Sequence, residues 1–140
     1  MGSEMCIRDS NYDDYKAKTT NILKCVGNYV YTNLKSNKIL INPPQGGFYL
    51  MPEFLNSKFK TSSEMCDDIL SKTGVALLPG SDFGFRTDKM LTRLSFTDFN
   101  GDLFLKKISS SKKLDDDLIK KYAPNVVEGT KKLAEWHKNL

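Results

Sequence analysis

The stretch from Gly74 to Phe96 constrains the fold of this chain more than any other. It reads GVALLPGSDFG, then a short polar gap, then LTRLSF. The run from Val75 to Leu78 is apolar on both faces, which predicts a central strand. The Pro-Gly pair after it predicts a turn. Residues 91–96 alternate in polarity and predict a second strand, and that strand carries a single arginine, Arg93.

The side chain of Arg93 has two interpretations, and the choice between them decides the function. Strand alternation predicts that Thr92, Leu94 and Phe96 share one face, and that Leu91, Arg93 and Ser95 share the other. Arg93 could be a surface or ion-pair residue with Asp82, Asp88 or Asp98. Alternatively, its guanidinium could hold a small carboxylate ligand through two parallel hydrogen bonds, which lysine cannot reproduce.

Three helices are predicted around these strands. The first spans Tyr12 to Asn37, and its apolar stripe consists of Ile22, Val26, Tyr29, Val30 and Leu34. The second begins near Thr61, which forms a capping box with Glu64, and it ends at Gly74. The third begins near Pro124, and its predicted buried side consists of Val126, Val127, Thr130, Leu133 and His137.

The segments between these helices complete the predicted fold class. Residues 42–47 predict a turn, and residues 48–51 predict a strand that ends at Pro52. Asn100-Gly101 predicts another turn. The element order predicts an α/β fold of the two-layer α+β type. A small mixed sheet of about three strands packs against a long N-terminal helix, a middle helix and a C-terminal helix.

Composition excludes several classes of function. The net charge is +4 and the lysines are dispersed, so we expect no nucleic-acid partner. No apolar run reaches 18 residues, which predicts no membrane span. Cys6, Cys25 and Cys66 are widely separated, which favours reduced thiols and a cytoplasmic protein. His137 is the only histidine, so a metal site is not expected.

The first ten residues, MGSEMCIRDS, differ in pattern from the rest of the chain. They resemble translated sequencing-adapter sequence, and we interpret residues 1–10 as a non-native or disordered leader. An ordinary disordered terminus is the alternative. Residues 11–140 are then the structural domain.

Three blocks of sequence together resemble the C-terminal part of class I/II aminotransferases, which are pyridoxal-phosphate enzymes of fold type I. The blocks are INPPQGGFYL, GVALLPGSDFG and LTRLSF, in that order. The resemblance covers residues 11–140 and is loosest over residues 103–121. It implies that the chain is the small C-terminal domain of such an enzyme and is incomplete relative to it.

The resemblance implies roles for individual residues. Arg93 matches the arginine that binds the substrate α-carboxylate, and Phe83 matches an aromatic that borders the substrate pocket. Gly46 and Gly47 match a turn in which the backbone packs closely. Phe48 and Tyr49 are predicted to belong to the core. The implied substrates are an amino acid and a 2-oxo acid, the implied role is in amino acid metabolism, and the full-length enzyme is expected to be a homodimer.

The lysine that such enzymes use to bind the cofactor is not expected in this chain. It precedes the matched segment in the family, as do the main pyridoxal-phosphate ligands, so no catalytic or cofactor-binding residue is assigned and the chain alone should be inactive. The run from Ser109 to Lys112 imitates the lysine motif, but it comes after Arg93 and lacks the expected Gly and Arg. We interpret it as a polar loop.

Two other hypotheses remain open at this stage. One is a freestanding α/β module that uses Arg93 to bind a small carboxylate ligand without catalysis. The other, with the least support, is a basic interaction domain. The sequence does not determine which amino acid is the substrate, or whether the whole enzyme is a transaminase or a related lyase or synthase.

Overall fold

The computed structural model describes residues 9–44, 47–55, 58–107 and 115–140, and side chains from residue 13 onward. The α-helices are α1 (Asp9–Leu34), α2 (Ser62–Thr73), α3 (Gly101–Lys107), α4 (Asp116–Tyr122) and α5 (Pro124–Lys138). The strands are β1 (Ile39–Leu40), β2 (Tyr49–Leu50), β3 (Glu53–Phe54), β4 (Leu78–Pro79) and β5 (Thr92–Ser95), and a 3-10 helix spans Gly80–Phe83. The predicted α/β class is confirmed, with helices dominating.

The strands form one three-stranded sheet in the order β2-β5-β4 and a separate pair, β1-β3. Every pairing among these strands is antiparallel, whereas the sequence predicted a mixed sheet. The chain reverses between β4 and β5 because the 3-10 helix ends at Gly84, whose φ of 91° is left-handed. The reversal brings β5 back beside β4 in the opposite direction.

Strand β4 lies at the edge of the sheet, so the prediction that Val75 to Leu78 forms a central strand is wrong. Only Leu78 and Pro79 are in the strand, and Leu78 is 48% exposed. The Oγ1 atom of Thr73 accepts a hydrogen bond from the backbone N–H of Val75 at 3.0 Å. This local bond occupies the Val75 N–H, which is therefore not available to a strand ladder.

Strand β5 is central, and its alternation agrees with the prediction. Thr92, Leu94 and Phe96 are buried, while Arg93 is half-buried and Ser95 is exposed. Leu91 is the exception, because it is buried where it bridges to Glu53. The sheet therefore has one buried face and one face that is open in this chain.

Helix α1 covers the buried face. Its predicted stripe is confirmed at Ile22, Val26, Val30 and Leu34, which are all buried. A Cβ atom on Gly27 would lie only 3.0 Å from the ring of Phe96, so glycine allows the helix to approach the sheet closely. Helix α5 packs along α1. None of the helices in the described segments is long and apolar enough to cross a membrane.

The helix ends follow local rules with two differences from prediction. The Thr61 side chain accepts from Glu64 N–H, and Gly74 ends α2 with a φ of 76°, both as expected. Asn100 caps α3 by accepting from Leu103 N–H, although a turn was predicted there. The buried side of α5 consists of Val126, Thr130, Leu133 and Trp136. The predicted Val127 and His137 are half-buried, and Trp136 was not predicted.

Candidate functional site

The open face of the sheet carries Arg93 near its centre. In the antiparallel register Arg93 lies opposite Leu78 of β4, and Ser95 lies opposite Tyr49 of β2. Residues paired in this way point to the same side of a sheet. Leu50 and Leu94 pair on the other side and are buried. The sheet thus presents one arginine between an exposed tyrosine and an exposed leucine.

Three aromatic rings surround the Arg93 guanidinium. Its Cζ atom lies 4.4 Å from the ring centroid of Tyr49, 5.2 Å from that of Phe83 and 5.9 Å from that of Phe48. Distances below about 6 Å are typical of cation–π contacts. Phe48 and Tyr49 also meet edge to face at 5.8 Å. The two residues assigned from sequence, Arg93 and Phe83, are therefore neighbours in space.

The prediction that Phe48 and Tyr49 belong to the core is wrong, because they are 45% and 41% exposed. Tyr49 alternates with the buried Leu50 and so points to the open face. Phe48 comes directly after Gly47, whose left-handed φ of 76° turns the chain just before β2. Tyr49 is the site residue that sequence reasoning missed. Gly46 lies outside the described residues, as does the run from Ser109 to Lys112.

The three carboxylates considered as partners of Arg93 do not pair with it. Asp88 binds Arg86, which lowers the pKa of Asp88 and raises that of Arg86. Asp82 and Asp98 form no ion pair with Arg93. Within the part of the chain that the structure describes, Arg93 also donates no side-chain hydrogen bond. Its N–H donors are therefore available to a carboxylate from outside the described residues.

The loop that carries Phe83 is fixed to the sheet and to α2. The Gly80 N–H donates to the Leu91 carbonyl at 2.7 Å, and the Ser62 N–H donates to the Thr87 carbonyl at 2.8 Å. Ser62 is fully buried, and its hydroxyl donates to Ser81 Oγ at 3.5 Å. Two backbone bonds and one bond between side chains therefore hold the segment that carries Phe83 beside the strand that carries Arg93.

Three clefts in the described part of the chain are not lined by Arg93. One, of about 380 Å³, lies between α5 and residues 73–77. Two others lie beside the contact between α1 and α5 and are lined partly by lysines. Lys35, Lys120 and Lys138 lie at or just after the ends of α1, α4 and α5, where helix dipoles favour cations, so these charges need no ligand. The described residues contain no cluster of metal-binding side chains.

Comparison with known proteins places this geometry in context. An aspartate aminotransferase from Sulfolobus acidocaldarius is 32% identical over 89 residues. The match covers 61% of this chain and 22% of that protein. The chain is similar to aminotransferases. The predicted resemblance to aminotransferases is thus confirmed at that level, although no family model matches the chain.

Solved aminotransferase structures share the fold. An alanine aminotransferase from Pyrococcus furiosus superposes with a TM-score of 0.60 at 22% identity, over 84% of this chain and 24% of that one. An aminotransferase from Escherichia coli gives 0.59 at 14% identity, over 83% and 24%. An aromatic aminotransferase from Pyrococcus horikoshii gives 0.54 at 18% identity, over 81% and 24%. The chain therefore spans less than a quarter of the length of these aminotransferases.

Proposed function

We propose that this chain is the small-domain part of a pyridoxal-phosphate-dependent aminotransferase, and that Arg93 binds the α-carboxylate of its substrate. One observation carries the proposal: the Arg93 guanidinium lies among three exposed aromatic rings and has no carboxylate partner in the described segments. The similarity to aminotransferases supports the reaction class.

The arrangement of rings around Arg93 leaves its guanidinium able to bind a carboxylate. Aromatic rings stack on the flat faces of a guanidinium, and its N–H donors lie in the plane between those faces. A carboxylate can therefore bind edge-on through two parallel hydrogen bonds. Because Arg93 is on the central strand of the sheet, a substrate held in this way has a fixed position relative to the domain. Phe83 would border the same substrate.

Pyridoxal phosphate supplies the electron sink of aminotransferase chemistry when it is bound. We infer that its site lies outside the described residues. Lys89, the lysine nearest to Arg93 in sequence, instead forms an ion pair with Glu53 at 3.5 Å. The residues that hold the cofactor belong, in this proposal, to the rest of a longer protein, and the isolated chain is inactive.

The remaining properties are consequences of the same proposal. The substrates are an amino acid and a 2-oxo acid, and the complete enzyme is a cytoplasmic homodimer in amino acid metabolism. The open sheet face, with Leu78, Phe83 and Tyr49 exposed, would be covered by the rest of the enzyme.

The test is a transaminase assay of the complete reading frame from which this chain derives. Arg93→Lys keeps the charge but loses the paired hydrogen bonds, so kcat/KM should fall about ten- to a hundredfold. Arg86→Lys is the matched control, because Arg86 is exposed and pairs only with Asp88. Equal effects of the two substitutions would contradict the proposed role of Arg93.

A freestanding carboxylate-binding module is the second candidate. It is favoured by the fact that all three rings around Arg93 come from this chain. The upstream nucleotide sequence distinguishes the two functions. A continuous frame that encodes a large domain with an S-x-S-K block supports the enzyme, and a start codon with no such domain supports the module.

A further inference from the structure

We propose that Tyr49 is a positioning residue, which holds the Arg93 guanidinium in the orientation that receives a carboxylate. The effect on ligand binding rests on the proposed function of Arg93, whereas the effect on the orientation of Arg93 does not. Tyr49 has the shortest of the three ring contacts, with Arg93 Cζ 4.4 Å from its centroid.

The sheet register explains why Tyr49 reaches Arg93. Tyr49 lies directly opposite Ser95, and Arg93 is two residues from Ser95 on the same strand. Tyr49 and Arg93 are therefore diagonal cross-strand neighbours on one face. Such pairs are about 7–8 Å apart at the backbone, which aromatic and long side chains can span. The buried pair Leu50 and Leu94 fixes this register from the opposite face.

The other two rings are less directly placed. Phe83 lies on the 3-10 helix, and its centroid is 5.2 Å from Arg93 Cζ. Phe48 lies just before β2, where its carbonyl accepts from the Phe96 N–H, and its centroid is 5.9 Å from Arg93 Cζ. Tyr49 is the one ring of the three that belongs to a strand paired with β5. It is therefore the contact that the fold of the sheet itself enforces.

The ring of Tyr49, and not its hydroxyl, makes the contact. Within the described segments the Tyr49 hydroxyl forms no hydrogen bond. Phenylalanine at this position should therefore preserve the orientation of Arg93, and leucine should weaken it. Without the Tyr49 ring, only the more distant rings of Phe83 and Phe48 remain, so the long Arg93 side chain would sample more rotamers and a carboxylate would have to order it on binding.

The test is NMR of the 140-residue chain, with the Arg93 Nε–H and side-chain protons assigned. A stacked ring shifts these protons upfield. We expect the full upfield shift in the wild type and in Tyr49→Phe, and a clearly smaller shift in Tyr49→Leu, where only Phe83 and Phe48 remain near Arg93. Phe85→Leu is the matched control, since Phe85 is also 41% exposed but is not among the rings that contact the Arg93 guanidinium in the described residues. Titration with pyruvate should show binding to Tyr49→Leu weakened about two- to fivefold.

The outcomes separate this inference from the proposed function. An Arg93 shift that is the same in Tyr49→Leu as in the wild type, with the fold intact by backbone spectra, overturns the inference. A shift that depends on Tyr49, in a wild-type chain whose Arg93 does not respond to pyruvate, leaves the positioning standing and overturns the carboxylate role. The inference would also be overturned if Phe85→Leu reduced the upfield shift of the Arg93 protons as much as Tyr49→Leu does.

Discussion

The backbone of Gly80 lies directly against that of Leu91. The Gly80 N–H donates to the Leu91 carbonyl at 2.7 Å, and a Cβ atom on Gly80 would lie only 2.9 Å from the same oxygen. Glycine at this turn is therefore required by close backbone approach, although its φ is not left-handed. This contact joins the loop that carries Phe83 to the start of the strand that carries Arg93.

We predict that Gly80→Ala destabilises the chain by about 1–3 kcal/mol, because β4 and β5 must separate to admit the methyl group. Chemical denaturation measures the effect. Gly101→Ala is the control, because nothing lies within 4 Å of a Cβ there and Gly101 begins a helix, so alanine should be neutral or mildly stabilising. Equal stability of Gly80→Ala and the wild type would contradict the contact.

Thr92 is fully buried, and its hydroxyl donates to the Pro52 carbonyl at 3.0 Å. The Thr92 N–H donates to the same oxygen. Thr92→Val keeps the shape and leaves that carbonyl with one partner, so we expect a loss of about 1 kcal/mol in the free energy of unfolding. A loss above about 3 kcal/mol would mean that the hydroxyl has another role.

Asp68 should titrate below the ordinary range of an aspartate. The Trp136 Nε1–H donates to Asp68 Oδ2 at 2.9 Å, and Lys72 lies 3.3 Å from Oδ1. The hydrogen bond from Trp136 is the largest single cause of the lowered pKa, and Lys72 lowers it further through a hydrogen bond and through its charge. NMR titration should show a higher Asp68 pKa in Trp136→Phe and also in Lys72→Met.

The pH dependence of stability is set by the same bond. Because the folded pKa of Asp68 is lowered, its stabilisation is present above the unfolded pKa of about 3.9 and is lost as the pH falls through the folded pKa. The difference in free energy of unfolding between the wild type and Trp136→Phe should therefore narrow in acid. A difference that stays constant with pH would show that Trp136 contributes only packing.

Cys66 should be an inert thiol. Burial, together with the smaller effect of the charges of Asp67 and Asp82, raises its pKa to about 11. At pH 8 only about one molecule in a thousand then carries the thiolate, against about a quarter for an ordinary thiol. In a variant with Cys6→Ser and Cys25→Ser, a thiol reagent should label the native chain far more slowly than the denatured chain. Equal rates would contradict the burial.

The parts of the fold predicted correctly depend on local rules. The stripe of α1, the caps of α2 at Thr61 and Gly74, and the alternation of β5 are each set by residues close together in sequence. The prediction failed for Val75 because a side-chain bond from Thr73 competes with the ladder. It also omitted Trp136, since the apolar period alone did not show that this side chain could be buried while its N–H reaches Asp68.

The candidate site also contains residues that the sequence indicated and one that it did not. Arg93 and Phe83 were proposed as site residues from the sequence blocks. In the structure the Arg93 Cζ atom lies 5.2 Å from the centroid of the Phe83 ring. Tyr49 could not be named, because its contact with Arg93 depends on which residues of β2 and β5 pair. That register is fixed by the burial of Leu50 against Leu94, a long-range relation that the pattern around residue 49 does not contain.

The central claim, that Arg93 receives a carboxylate, is tested most directly by titrating the 140-residue chain with pyruvate while monitoring the Arg93 Nε–H by NMR. We predict a saturable shift of this proton with pyruvate and none with its neutral amide. The Arg86 Nε–H, on an arginine that is already paired with Asp88, should not respond. If the Arg93 proton does not move, or moves equally with the amide, the claim is contradicted.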